Sequence, residues 1–214
     1  MNLIDSFTTD AEDGFEMPLA TERLLLRRFI EADAVAVELL LNDRELAANS
    51  RSIDFPYPQG AAVKWIERHQ TCWQEGTAFV FAVEAKPQYL PLVGEASHGP
   101  GTSGRGASRL IGAIEIQINE NDHQAELGYW IGRDFRGLGL CSEAAIKVVE
   151  FGFEKIGLNK ITSHHMARNS ASGRVLEKIG MHREGYLRRH VRKWGVFEDV
   201  ILYGMLSSDP RAGA

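Results

Sequence analysis

Cysteine is scarce in this sequence. Cys72 and Cys141 are the only two in 214 residues, too few for a disulfide framework. No C-x-x-C spacing exists to hold zinc or a redox pair. A reducing cytosol is the expected compartment. No run of 18 apolar residues occurs, so no membrane-spanning helix and no membrane partner are expected. A basic excess is missing as well, with 24 Lys and Arg against 29 Asp and Glu. Residues 1–16 hold Asp5, Asp10, Glu12, Asp13 and Glu16 and no Lys or Arg. That stretch lacks the basic and apolar regions of a secretory signal and reads as a flexible acidic leader. It carries the whole formal charge of −5, leaving residues 17–214 balanced, which argues against a nucleic-acid partner. The P-loop pattern G-x-x-x-x-G-K-[ST] is absent, and so is H-E-x-x-H. His164 and His165 are adjacent in a strand pattern and point to opposite faces, so no metal is expected.

What is present suits a globular domain: 44% apolar and 25% charged residues. The pattern predicts a single domain over 17–206, interrupted by a Gly/Pro-rich insertion at 86–108 and followed by a tail at 207–214. Strands are expected at 21–29, 78–85, 109–118, 123–132, 160–166, 181–191 and 197–206. Helices are expected at 31–41, 61–75, 137–155 and 169–179, with Gly76 and Gly180 as stops. Residues 51–60 contain Pro56 and Pro58 and must form a loop. Hairpins and β-α-β crossovers both occur in this order. The fold class is therefore α/β (α+β): a mixed sheet of about seven strands with helices on both faces. In the long helix, Leu140, Ala144, Val148 and Phe151 share a face, and Glu143 and Lys147 form an i,i+4 pair.

The chemically informative stretch is YWIGRDFRGLGLCSEAA at 129–145. A strand ends at Ile131, and Arg136-Gly137-Leu138-Gly139 opens directly into the long helix. A helix N-terminus presents unpaired N–H groups and the positive end of the macrodipole. Gly137 and Gly139 lack Cβ atoms, so an anion can approach the backbone, and Arg136 adds a cation with planar donors. Together these make a phosphate or pyrophosphate cradle. Alone, such a piece is equally a plain turn.

The context decides. TERLLLRRF at 21–29, LIGAIEI at 110–116, AELGYWIGRDFRGLGLCSEAA at 125–145, GLNKI at 157–161, ARNSASGRVLEKIGM at 167–181 and EGYLRRHVRKWGVFEDVILYGML at 184–206 recur in this order. In them the sequence resembles the GCN5-related N-acetyltransferases (GNAT superfamily), in particular the ribosomal-protein N-terminal, or Rim-type, subgroup. The resemblance implies a sheet that splays between the strands at 123–132 and 160–166, with acetyl-coenzyme A in the gap. It implies pantetheine pairing at Trp130, Ile131 and Gly132. It places the pyrophosphate on Arg136, Gly137, Leu138, Gly139, Leu140, Cys141 and Ser142, with Asn169 and Ser172 facing the cofactor. Departures are Asp134, where the widespread motif has Gln or Arg, and Leu176, where many members carry a tyrosine acid.

The implied activity is acetyl transfer from acetyl-coenzyme A to a primary amine, most simply the N-terminal α-amine of a protein or peptide, by a monomer or homodimer. A small-molecule amine acceptor, a catalytically idle acyl-coenzyme A-binding module and a nucleotide-binding regulatory domain are the alternatives. For the base, Glu126 is the first candidate, with its carboxyl expected to be raised towards neutrality; Glu115 follows. For the acid, Ser172 leads, with Tyr129 and Tyr203 behind it. Cys141 in the first helical turn invites a nucleophile reading, but no His or Asp stands at a telling spacing. Arg174 and Lys178 suit the adenosine phosphate. The basic run Arg183, Arg188, Arg189, Arg192 and Lys193 borders the acceptor site and suits an acidic or polar acceptor.

Overall fold

A computed structural model describes residues 15, 17–90 and 109–211. Nearly all of the leader at 1–16, most of the insertion at 86–108 and the last three residues of the tail lie outside the described residues. Strands β1 (Leu19–Ala20), β2 (Leu24–Arg28), β3 (Ala78–Ala85), β4 (Arg109–Asn119), β5 (Gln124–Ile131), β6 (Lys160–Met166), β7 (His182–Lys193) and β8 (Val196–Leu206) form one sheet. Its order is β1-β2-β3-β4-β5-β6-β8-β7. The expected mixed sheet is present, with an eighth strand because the short β1 pairs with β2. Every neighbouring pair is antiparallel except β5 and β6.

Alternation along the central strands builds two cores. Phe79, Phe81 and Val83 of β3 pack with helices α4 (Leu140–Phe151) and α5 (Ser170–Lys178) on one face. Val80 and Ala82 pack with α1 (Ala34–Leu41) and α3 (Ala61–Glu75) on the other. On α4 the predicted stripe of Leu140, Ala144, Val148 and Phe151 is buried. Each of its large members contributes roughly 1.5–3 kcal/mol over an exposed position.

Three local expectations need correction. Helix α4 starts at Leu140 rather than 137, because Gly137 and Gly139 both sit at φ +77° and cannot belong to a right-handed helix. At its far end the helix widens into a π turn over Gly152–Ile156. The Glu143–Lys147 pair does not form; Lys147 meets Glu150 at 3.2 Å and Glu143 turns towards β2. Helix α2 (Arg44–Asn49) was not expected; the Asp43 carboxylate caps it by accepting from the Glu45 amide at 2.9 Å.

The feature that positions the site is a split in the sheet. Strands β5 and β6 pair only over Gln124↔Lys160, Ala125↔Ile161 and Glu126↔Thr162. Beyond that, β5 stays with β4 as far as Ile131↔Gly112, and β6 stays with β8 as far as Met166↔Val200. At the apex the Ser163 hydroxyl donates to the Leu127 carbonyl at 2.8 Å. A side chain there takes the acceptor that a continuing ladder would use.

Candidate active site

The mouth of α4 presents unpaired amides and open backbone. Helix geometry leaves the amides of Leu140, Cys141 and Ser142 without intrahelical acceptors, while the Glu143 amide reaches the Gly139 carbonyl at 3.1 Å. A Cβ at Gly137 would meet nothing within 4 Å, so the backbone there is open. The cations at the mouth differ from the sequence expectation. Arg136 turns away from it: its Nε donates to the Ile131 carbonyl at 3.0 Å, and its guanidinium meets Asp43 at 2.7 Å and Glu45 at 3.3 Å. Instead, Arg23 Nη2 and Lys178 Nζ lie 3.5 and 3.6 Å from the point where a Gly139 Cβ would stand. Arg23 also donates to the Leu138 carbonyl at 2.9 Å and is held by Glu143 at 2.6 Å. From sequence, Lys178 is expected at the adenosine phosphate rather than at this mouth, and nothing signals Arg23 or Glu143 here, because the turn before β2 that holds Arg23 is remote in sequence. Arg174 donates to the Ser170 hydroxyl at 3.1 Å.

The split supplies an open strand edge. The Gly132 amide donates to the Ile111 carbonyl at 2.8 Å, so alternation directs the backbone groups of Trp130 and Gly132 to β4. Tyr129 and Ile131 therefore face the gap, and the Ile131 carbonyl is already taken by Arg136. What remains for an added strand is the Tyr129 peptide groups and the Ile131 amide, one residue out of step with the sequence expectation.

On the α4–α5 face of the gap, the Tyr129 hydroxyl lies 2.9 Å from the Ser172 hydroxyl. Burial pushes the Tyr129 phenol above its ordinary range, so it stays a neutral donor. Asn169 caps α5, its side-chain oxygen accepting from the Ser172 amide at 3.3 Å. Burial pushes the Cys141 thiol up to about 12, against a nucleophile role.

On the α1–α3 face, Glu126 is half-exposed and its Oε1 accepts from His164 Nδ1 at 2.9 Å. That hydrogen bond holds the Glu126 carboxyl below its ordinary range, with Arg51 assisting, contrary to the rise expected from sequence. Glu115 shows the opposite behaviour. Burial beside Gly128 raises its carboxyl, with the Glu126 charge adding to the rise, and Gln117 donates to it at 3.2 Å. The buried His69 lies 3.9 Å from Glu115; burial lowers its imidazole to about 4 and keeps it neutral. The walls of this face are the 51–60 loop and the β7–β8 hairpin, joined where Lys193 Nζ donates to the Ile53 carbonyl at 2.6 Å. Tyr186, Trp194 and Phe197 are exposed on that hairpin beneath the cations Arg183, Lys193, Arg189 and Arg192. Among the described residues, no group of three or more His, Cys, Asp or Glu is placed to hold a metal ion. No described helix is long and apolar enough to cross a membrane.

A family model described as an acetyltransferase (GNAT) domain matches residues 23–182. The chain is 39% identical over 103 residues to the probable N-acetyltransferase YjcK of Bacillus subtilis, covering 47% of this chain and 57% of that protein. It is 28% identical over 194 residues to the uncharacterized N-acetyltransferase YoaA of the same organism, covering 88% and 96%. It is 29% identical over 102 residues to the ribosomal protein uS5-alanine N-acetyltransferase of Escherichia coli, covering 47% and 53%. Several of these matches thus span little more than half of the relative's length. Among solved structures, the RimL ribosomal α-N-protein acetyltransferase in complex with coenzyme A superposes with TM-score 0.73 at 18% identity, covering 91% of this chain and all of that one. Spermidine N-acetyltransferase from Vibrio cholerae superposes with TM-score 0.68 at 21% identity, covering 88% and 98%. At such identities the likeness concerns the fold.

Proposed function

We propose that this chain, which belongs to the GNAT acetyltransferase family, transfers the acetyl group of acetyl-coenzyme A to the N-terminal α-amine of a protein or peptide. One observation carries the reading: the sheet parts after three residue pairs, and the gap runs from the mouth of α4. The residues present fit the cosubstrate. A diphosphate suits the amides of Leu140, Cys141 and Ser142 between Arg23 and Lys178. A pantetheine amide chain suits the Tyr129–Ile131 edge. A thioester so held ends at the apex of the split, with two kinds of group on opposite sides.

Ser172 and Tyr129, on the cofactor side, form a hydroxyl pair able to pass a proton to the departing sulfur. Glu126, on the acceptor side, supports removal of a proton from the incoming ammonium; only the neutral amine has a lone pair for attack. The hairpin's guanidiniums favour a polar or acidic chain behind the reacting amine. A polyamine acceptor is the second reading, favoured by the carboxylates Glu115 and Glu126 on the acceptor face.

The test is calorimetric titration with acetyl-coenzyme A, followed by thiol-release assays on a panel of N-terminal peptides, spermidine and amino acids. Micromolar cofactor binding with turnover of peptides supports the main reading. Turnover of polyamines alone replaces it with the second. Tight binding without turnover of any amine assigns an idle acyl-coenzyme A module.

A further inference from the structure

We propose that His164, held in place by Glu126, is the group that takes the proton from the acceptor amine. The inference rests on the acetyl-transfer reading and names the base within it.

The geometry is specific. Glu126 occupies the last position where β5 and β6 still pair, opposite Thr162. His164 stands two residues further along β6, on the same face, just past the point of divergence. The two side chains reach back over the apex and meet at 2.9 Å, Nδ1 to Oε1. Glu126 is ionised at neutral pH, so its oxygen only accepts, and Nδ1 must carry the hydrogen. The Nε2 lone pair is then left for a substrate proton. His164 remains partly exposed, at 35% of its side-chain surface. It lines a hollow shared with Asn49, Arg51, His165, Met166, Val191 and Val200, between the end of α2 and the β7–β8 hairpin; the His165 imidazole is itself buried and meets the Met166 carbonyl through Nδ1 at 2.8 Å. An acceptor chain entering between the 51–60 loop and the hairpin reaches that hollow before the apex.

The charged surroundings are few. From β5 comes Glu126, and from the loop after α2 comes Arg51. Past the end of β6, Arg168 is engaged by Glu198 of β8 at 3.0 Å. Lys160, further back on β6, is engaged by Glu184 of β7 at 2.8 Å. Glu115 of β4 lies beyond Glu126. Beside His164 itself, β8 offers Leu202 and Val200. Neither carboxylate replaces the imidazole. Glu126 gives Oε1 to Nδ1, and its lowered carboxyl is a poor proton acceptor. Glu115 sits opposite Gly128 with His69 and Gln117 around it, on the far side of β5 from the gap.

The acceptor ammonium gives one proton to His164 Nε2. The freed nitrogen lone pair forms the bond to the thioester carbonyl carbon, and the carbon–sulfur bond breaks. The nitrogen sheds a second proton, which ends on the sulfur, and the imidazolium releases the first to solvent. One amide, one thiol and one proton result.

The experiment compares wild type, His164→Gln, His164→Ala, Glu126→Gln and Glu115→Gln on the best acceptor found for the wild-type chain. We expect His164→Gln to lower kcat about 10²–10⁴-fold, with unchanged acetyl-coenzyme A affinity and loss of the acidic limb of the kcat profile. Added imidazole restores part of the His164→Ala activity. Glu126→Gln lowers kcat about tenfold, and ¹⁵N imidazole signals show His164 losing its preference for the Nδ1–H tautomer. Retention of the limb and of kcat within about threefold in His164→Gln overturns the proposal, as does loss of the limb in Glu115→Gln alone. Absence of turnover in the wild type itself defeats the acetyl-transfer reading instead, and this assignment with it.

Discussion

Glu143 is the most telling place to perturb the cofactor mouth. In the first turn of α4 its carboxylate accepts from the Thr21 hydroxyl at 2.5 Å, the Arg23 amide at 2.8 Å and Arg23 Nε at 2.6 Å. It therefore ties the turn between β1 and β2 to the helix end, where the dipole also favours a negative charge. Removing a charged acceptor from fully buried donors would cost about 1.5–3 kcal/mol per bond; the donors here are partly buried. These three bonds share one group, and Arg23 and Glu143 keep 30% and 19% of their side-chain exposure. Screening and non-additivity reduce the total to about 2–4 kcal/mol for Glu143→Ala. In a domain of this size that lowers Tm by about 4–16 °C. Glu143→Gln keeps an acceptor oxygen and loses the charge, costing roughly half as much.

The pH dependence has a definite sign. Burial pushes the Glu143 carboxyl up, but the Thr21 and Arg23 donors outweigh it and hold the group below its ordinary range. Its stabilisation is present above the unfolded value of about 4.3 and is lost as pH falls through the lower folded value. Scanning calorimetry of wild type and Glu143→Gln from pH 7 to pH 3 should show the Tm gap closing below about pH 4. A gap that stays constant to pH 3, or a Glu143→Ala variant within about 1 °C of wild type, refutes the reasoning.

Further outcomes follow from the same geometry. Tyr129→Phe removes the neutral donor beside Ser172, so kcat should fall about 10–100-fold with cofactor affinity kept, read by stopped-flow thiol release. Gly139→Ala forces a side chain to φ +77° at a strain of about 1–2 kcal/mol; coenzyme A affinity should drop about tenfold by calorimetry, without unfolding. With the Cys141 thiol pushed up to about 12, about one thiol in ten thousand is ionised at pH 8; iodoacetamide labelling followed by peptide mass spectrometry should find Cys141 unmodified while denatured controls react.

The sequence alone determined whatever depends on residues near one another along the chain. The apolar run AFVFAVEA marked β3 to the residue, and the helical spacing at 61–75 with Gly76 behind it marked α3. Gly137 and Gly139 marked the open mouth, and the many separated segments together marked the family. Tertiary structure decided which groups converge there. Arg23, more than a hundred residues away, took the place expected for Arg136, because a carboxylate at Asp43 claimed the nearer guanidinium first. Glu126 gained His164 from a strand that follows it only after a whole helix. Glu115 and Glu126 moved apart in acidity because the fold buries one and pairs the other. Periodicity and turn chemistry are local and survive in any tertiary context. Strand register, burial and ion pairing are set only when distant segments close on one another, and one step of register exchanged Trp130 for Tyr129 at the edge of the gap.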